Sequence, residues 1–169
     1  IGYLLEQTFG YNLPKKMREH FSYLCKDISD REHKELKPDE MLEIFKGNYL
    51  NIQGDIKVTE FDFIRDHGAV KINITFMQNG VETKLEAEGN GSLNAVSNAL
   101  KAYTGKEYVL QIFTQHSMQG KGSQSIAASY IGIENENGEM FWGAGTDTDV
   151  IKASTNALLS AFSNMTKGG

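Results

Sequence analysis

The stretch that decides the fold is Gly89-Asn90-Gly91-Ser92-Leu93-Asn94-Ala95-Val96-Ser97-Asn98-Ala99-Leu100-Lys101-Ala102-Tyr103, because a degenerate second copy of it lies further along the chain. A gapless shift of 58 positions carries Asn98-Ala99-Leu100 onto Asn156-Ala157-Leu158 and the turn Asn79-Gly80 onto Asn137-Gly138. One offset that holds from a hairpin turn into a helix interior indicates an internal repeat. We therefore expect the C-terminal part of the chain to use one strand-strand-helix unit twice.

The hydrophobic pattern on either side of this stretch has a period of two. Val70, Ile72, Ile74 and Phe76 alternate with more polar residues, and Asn79-Gly80 is a preferred hairpin turn. A helix follows Gly91, and Ser92 can cap it. In the second unit, Glu107 to Gln115 is apolar on both faces and predicts a central strand. A loop at 116–123, strands at 126–134 and 139–144, and a last helix after Thr146-Asp147-Thr148 complete the unit.

The segment before the repeat has a helical pattern. Apolar spacing predicts helices at residues 1–9 and after Pro14, a charged linker at 30–37, and a third helix that begins at Pro38. We therefore predict a helical subdomain at 1–54 and a second domain, which contains the repeat, at 55–169. The fold class is α+β, with two pseudo-symmetric three-strand-plus-helix units forming a layered domain. Because the chain begins at Ile1, we expect it to be a piece of a longer protein.

Composition narrows the class of protein. The chain has 169 residues, is 40% hydrophobic and carries a formal charge of −5. It has no basic run that could follow a phosphate backbone, which argues against nucleic acid. No apolar run approaches the length of a membrane span, and the single cysteine, Cys25, cannot form an internal disulfide. We therefore predict a cytoplasmic protein.

The residues that most often carry chemistry are explained by structural roles. The four histidines are scattered without metal-ligand spacing, so we expect no metal and no cofactor in this chain. Cys25 borders an apolar helix stripe and reads as a small buried residue. Asp147 and Asp149 precede the last helix, where capping explains them. No catalytic constellation follows from these residues.

Two glycine-rich stretches have the composition of ligand loops. Gly120-Lys121-Gly122-Ser123 lacks Walker spacing and precedes a strand, so we interpret it as a flexible connection. The turn Gly89-Asn90-Gly91 lies before a helix, where exposed amide groups attract a carboxylate. A tight turn without a ligand explains the same glycines, and both interpretations stay open.

A series of motifs in order along the chain carries a family resemblance. They are Tyr3-Leu4-Leu5, Gly10-Tyr11-Asn12-Leu13-Pro14-Lys15-Lys16-Met17 with His20-Phe21-Ser22, Glu88-Gly89-Asn90-Gly91-Ser92-Leu93, and Trp142-Gly143-Ala144-Gly145 leading into Ile151-Lys152-Ala153-Ser154. Together they resemble the C-terminal half of the 2-isopropylmalate synthases. The resemblance implies a homodimeric regulatory domain that binds leucine for feedback inhibition of leucine biosynthesis. It also implies a preceding TIM-barrel domain, in which a divalent metal supports the condensation of acetyl-CoA with 2-oxoisovalerate.

The resemblance also implies site residues. The leucine pocket would draw on Gly89, Asn90, Gly91, Leu93, Asn94, Leu110, Phe113, Ser117, Ser125 and Ala127, and Tyr3 resembles a tyrosine that reaches toward the active site. This sequence has Ser92 where the family often has Pro, Phe113 where Tyr is common, and serines at 117 and 125 where small apolar residues are common. Leucine selectivity is therefore open, with isoleucine, as in the citramalate synthases, as one alternative. A module for assembly alone, with no effector, is another.

Overall fold

The computed structural model describes residues 2–119 and 124–167. Three helices come first: α1 Gly2–Phe9, α2 Lys15–Glu32 and α3 Pro38–Asn48. The first unit is β1 Lys57–Asp66, β2 Ala69–Gln78, β3 Val81–Gly89 and α4 Ser92–Thr104. The second is β4 Val109–Gln119, β5 Ser125–Glu134, β6 Met140–Asp147 and α5 Val150–Lys167. The predicted α+β class, two three-strand-plus-helix units after a helical segment, is confirmed.

The internal repeat is visible in the backbone. Each unit forms an antiparallel sheet, in the orders β1-β2-β3 and β4-β5-β6. Asn79 and Gly80 have φ values of 52° and 77°, as a tight hairpin of the predicted kind requires. Both first strands are irregular near their start, between Val58 and Glu60 and between Leu110 and Ile112. The two units therefore share a bulge as well as their element order.

The main core lies where the two units face each other. It contains the inward residues of β2 and β5 together with the apolar stripes of α4 and α5, including Ile72, Ile74, Phe76, Val96, Leu100, Ile131, Ile133, Leu158 and Phe162. The other face of the first sheet carries exposed Lys71, Asn73, Glu82, Lys84 and Glu86. The first sheet thus has one face covered by the core and one exposed to solvent, as the alternating sequence predicts.

Helix α5 lies unusually close to strand β6. A Cβ added to Gly143 would lie 2.3 Å from both the Ala157 carbonyl oxygen and the Ala161 nitrogen. One added to Gly145 would lie 2.2 Å from the Ala153 carbonyl oxygen. Real Cβ atoms essentially never approach other atoms this closely, so the helix and strand backbones meet only because both positions are glycine.

The second sheet is covered on its other face as well. The helical annex (residues 2–54) packs there through a second core that joins Leu5, Met17, Phe21 and Phe45 to Ala128, Tyr130, Trp142 and Ala144. Leu50 also pairs with Ala144 as an isolated parallel bridge. The annex therefore shares a core with the second unit. The domain boundary at residue 54 stays a prediction.

Two predictions about the annex and α4 need correction. The charged linker predicted at 30–37 is wrong in its first part, because α2 continues to Glu32 and ends where His33 takes a left-handed φ of 53°. Those charges form a solvated helix face. The predicted cap at Ser92 is also wrong, because Gly91 occupies the N-cap position and no side chain caps α4.

The prediction for β4 is wrong in position and length. β4 is an edge strand, and β5 is the central one. On one face Ile112 and Met118 pack against the annex, and on the other Leu110 packs against the main core while Phe113 stays exposed. The strand also runs to Gln119, so the loop predicted from His116 begins later. Gly120-Lys121-Gly122-Ser123 lies outside the described residues.

Candidate functional site

The turn between β3 and α4 holds five of the predicted site residues. A Cβ on Gly89 would lie 2.5 Å from both the Ala95 nitrogen and the Asn94 Oδ1, so Gly89 is required by the turn itself. The Asn94 Oδ1 accepts the backbone N–H of Asn90 at 2.9 Å. Gly91 differs, because a Cβ there would meet nothing within 4 Å and its φ of −160° suits any residue. The described residues therefore provide no steric reason for a glycine at position 91.

The two repeated helices begin differently. In α5, the Asp149 Oδ1 accepts the backbone N–H groups of Ile151 and Lys152 at 2.8 and 3.1 Å. The shift of 58 places Asp149 on Gly91, and no side chain caps α4. Within the described residues, no acceptor bonds the N–H groups of the matching residues Leu93 and Asn94. A carboxylate thus caps α5, and the corresponding place on α4 is open.

The capping role predicted for the two aspartates is confirmed. Asp149 caps α5 as described, and the Asp147 Oδ1 accepts the N–H of Asp149 at 2.8 Å. Both carboxylates complement the positive end of the helix. The two aspartates therefore have a structural role in the turn that starts α5.

The other five predicted residues come together on the β4–β5 ladder. Ser117 pairs with Ala127, and Leu110 pairs with Ile133. Because side chains alternate along a strand and the bulge falls at Gln111, Leu110, Phe113, Ser117, Ser125 and Ala127 share one face. Leu110 packs against the main core, whereas Phe113 is 42% exposed. We call this set the ladder face.

The turn and the ladder face do not form a closed pocket in one chain. Leu93 and Leu110 pack against the same core, but among the described residues no hydrogen bond joins the turn to the ladder face. Three cavities in the described part of the chain have other linings. In one chain, the candidate site therefore consists of two separate features, the free amide groups at the start of α4 and the partly apolar ladder face.

Tyr3 lies elsewhere. It is 66% exposed on α1, and the Arg18 guanidinium lies 5.4 Å from its ring centroid. With Arg18, Tyr23 and Cys25 it lines a cavity of about 750 Å³ on the annex. The annex covers the opposite face of the second sheet, so Tyr3 does not join the other predicted site residues.

Sequence reasoning missed a cluster behind the ladder face. The Tyr130 hydroxyl lies 2.8 Å from the His116 Nε2 and accepts the backbone N–H of Asn12 at 2.9 Å. The His116 and Tyr130 rings are stacked, with centroids 5.5 Å apart. Tyr130 is fully buried, and burial raises the pKa of its phenol. The strand register, which places residues 116 and 130 on the same side of neighbouring strands, was the available signal.

The described residues offer donors and apolar contacts but few reactive groups. Within 2–119 and 124–167, no group of His, Cys, Asp or Glu could hold a metal ion. No helix of this part is long and apolar enough to cross a membrane. The open helix N-terminus suits the binding of a small carboxylate.

These features define a class of protein, an α+β repeat module for binding and association. Residues 35–166 match the family model described as the LeuA allosteric (dimerisation) domain, and the chain belongs to this family. It is 41% identical over 167 residues to the 2-isopropylmalate synthase of Desulfitobacterium hafniense, covering 99% of this chain and 30% of that protein. It is 37% identical over 173 residues to the 2-isopropylmalate synthase of Helicobacter hepaticus, covering 98% and 31%. The chain thus spans about a third of the length of these relatives.

Proposed function

We propose that this chain is the regulatory region of a 2-isopropylmalate synthase, binding L-leucine for feedback inhibition and holding two copies together. The observation that carries the proposal is the open N-terminus of α4, whose counterpart on α5 is filled by Asp149. The carboxylate of a free amino acid would accept from Leu93 and Asn94 the bonds that Asp149 accepts from Ile151 and Lys152.

The ladder face suits the rest of the ligand. Leu110, Phe113 and Ala127 present apolar surface for a branched side chain, and the hydroxyls of Ser117 and Ser125 can bond an ammonium group. Because this surface is open in one chain, we propose that a second copy closes it by twofold association, as the family description suggests. The exposed Phe113 ring would then be buried at the contact.

In the whole protein, we propose that a metal-dependent TIM-barrel domain condenses acetyl-CoA with 2-oxoisovalerate in the cytoplasm. The names of the relatives support this activity, and this chain would supply the control of it. Residues 1–54 would then link the barrel to the regulatory domain at 55–169. The exposed Tyr3 would reach toward the active site.

The test is a thermal-shift titration with L-leucine, L-isoleucine and L-valine, with the mass measured by light scattering. We expect a dimer whose melting temperature rises selectively with leucine, since a ligand at a hundred times its Kd stabilises the folded state by about 2.7 kcal/mol. If only isoleucine raises the melting temperature, isoleucine and not leucine is the effector. A dimer that responds to none of the three would leave assembly as the only function.

Two reciprocal variants test the carboxylate position. Gly91→Asp copies the α5 cap onto α4, so we expect it to abolish the leucine response while stabilising the fold by only about a few tenths of a kcal/mol, since glycine is itself a tolerated N-cap residue. Asp149→Gly removes the cap of α5 and should leave the leucine response unchanged. If Gly91→Asp binds leucine as the wild type does, the proposed position of the carboxylate is wrong.

A further inference from the structure

A chain of hydrogen bonds runs from β4 to the annex on the face of the second sheet opposite the ladder face. His116 and Ser117 are consecutive on β4, so their side chains lie on opposite faces. Ser117 belongs to the ladder face, and His116 contacts Tyr130, which accepts the N–H of Asn12 in the loop between α1 and α2. The network therefore joins the strand of the proposed leucine site to the annex through two side chains.

With a neutral imidazole at His116, the bonding pattern assigns each proton in this network. The His116 Nδ1 lies 3.3 Å from the Ser117 carbonyl oxygen, to which it can only donate. A neutral imidazole with its proton on Nδ1 offers Nε2 as an acceptor. The Tyr130 hydroxyl then donates to His116 and accepts from Asn12, so both of its roles are filled. Displacing His116 would leave a buried hydroxyl proton without an acceptor.

We propose that His116 and Tyr130 are positioning residues that transmit effector binding on β4 to the annex at Asn12. This inference rests on the proposed function and adds the route by which the annex responds. A shift of β4 when a ligand contacts Ser117 moves the His116 ring, because the two residues are adjacent. Because Tyr130 is fully buried, its hydroxyl cannot form a replacement hydrogen bond with water, so its bonds to His116 and Asn12 change together.

The amide of Asn12 is itself the reporter. We would measure hydrogen exchange of the peptide spanning residues 10–14 in the full chain, with and without saturating L-leucine. In the wild type, leucine should change the exchange rate of this peptide by about fivefold or more, the lower end of typical couplings between sites. In Tyr130→Phe, leucine should bind with an unchanged Kd while the peptide no longer responds.

Two further variants make the result specific. Tyr108→Phe removes another buried tyrosine hydroxyl, one that bonds Ser97 at 2.8 Å, and should keep the full response. His116→Phe keeps a ring against Tyr130, removes the acceptor and lies at a half-buried position, so it serves if Tyr130→Phe fails to fold. We expect it to lose the response as well.

Each outcome decides between the two proposals. If the wild type does not bind leucine, the proposed function fails and the transmission route falls with it. If the wild type binds leucine but its 10–14 peptide does not respond, the route is overturned while the proposed function stands. The same holds if His116→Phe, which keeps the Tyr130 hydroxyl as the acceptor of the Asn12 N–H, responds like the wild type.

Discussion

The close contact between α5 and β6 makes a strong prediction about Gly145. In Gly145→Ala, the new methyl group would lie 2.2 Å from the Ala153 carbonyl oxygen and 2.5 Å from the Ala157 nitrogen. Both atoms belong to the helix backbone, which cannot rotate away as a side chain can. The helix would have to move by about 1 Å from the strand to restore ordinary contact in a close-packed interior.

That movement would loosen the apolar contacts along both elements. Overpacking of a core typically costs about 1–3 kcal/mol, and we expect the upper end here because backbone atoms are involved. For a chain of this size, about 3 kcal/mol corresponds to a fall in Tm of about 6–12 °C. Urea unfolding monitored by circular dichroism would give the free energy directly.

Gly47→Ala is the matched control. Gly47 lies in α3, and a Cβ there would meet nothing within 4 Å, so the same chemical change should stabilise by about 0.5–1 kcal/mol through helix propensity. If Gly145→Ala proves as stable as the wild type, the described approach of α5 to β6 is wrong.

Three further predictions concern the annex and its junction. Burial raises the pKa of the Cys25 thiol to about 11, so at pH 8 the folded protein should react with iodoacetamide about a hundredfold more slowly than the urea-unfolded chain. The neutral buried thiol contributes stability that is complete below its unfolded pKa of about 8.5 and is lost as the pH rises toward 11. Trp142, the one tryptophan in the sequence, is 3% exposed because the annex covers it. A shortened chain of residues 55–167 lacks this cover, so its tryptophan fluorescence should be red-shifted and it should bind a hydrophobic dye. Unchanged emission would contradict the shared core. Asn51 has a φ of 48° and makes two 3.0 Å hydrogen bonds with Thr146. Asn51→Ala removes both bonds and strains the backbone, so it should lower the free energy of unfolding in urea by about 2–3 kcal/mol. Asn51→Gly removes the bonds without the strain and should recover about 1 kcal/mol of that loss, whereas equal losses in the two variants would exclude backbone strain.

Local patterns were enough to predict the repeat. The Asn79-Gly80 turn and the apolar stripes of α4 and α5 depend on neighbours within a few positions, and the elements that they predict are present. The position of β4 could not be obtained in this way. The annex covers Ile112 and the main core covers Leu110, but Phe113 stays exposed, and strand order is a property of the whole sheet.

The candidate site was predictable to a different degree in each part. Strand alternation brings Phe113 and Ser117 onto one face, and the register then adds Ala127. The contact of Asn12 with Tyr130 joins residues 118 positions apart and depends on how the annex packs. No local pattern contains that information, so the sequence alone predicted only a surface or structural role for His116.

The unequal capping of α4 and α5 has a consequence for the history of duplicated domains. When a gene segment is duplicated, both copies inherit the same helix N-terminus, yet only one of them has to stay uncapped for a ligand to bind there. The Asp149 carboxylate caps α5 within its own unit, whereas Gly91 has no side chain with which to cap α4. Under the proposed function, ligand binding and structural support would thus be divided between the two units by a single residue at the start of a helix.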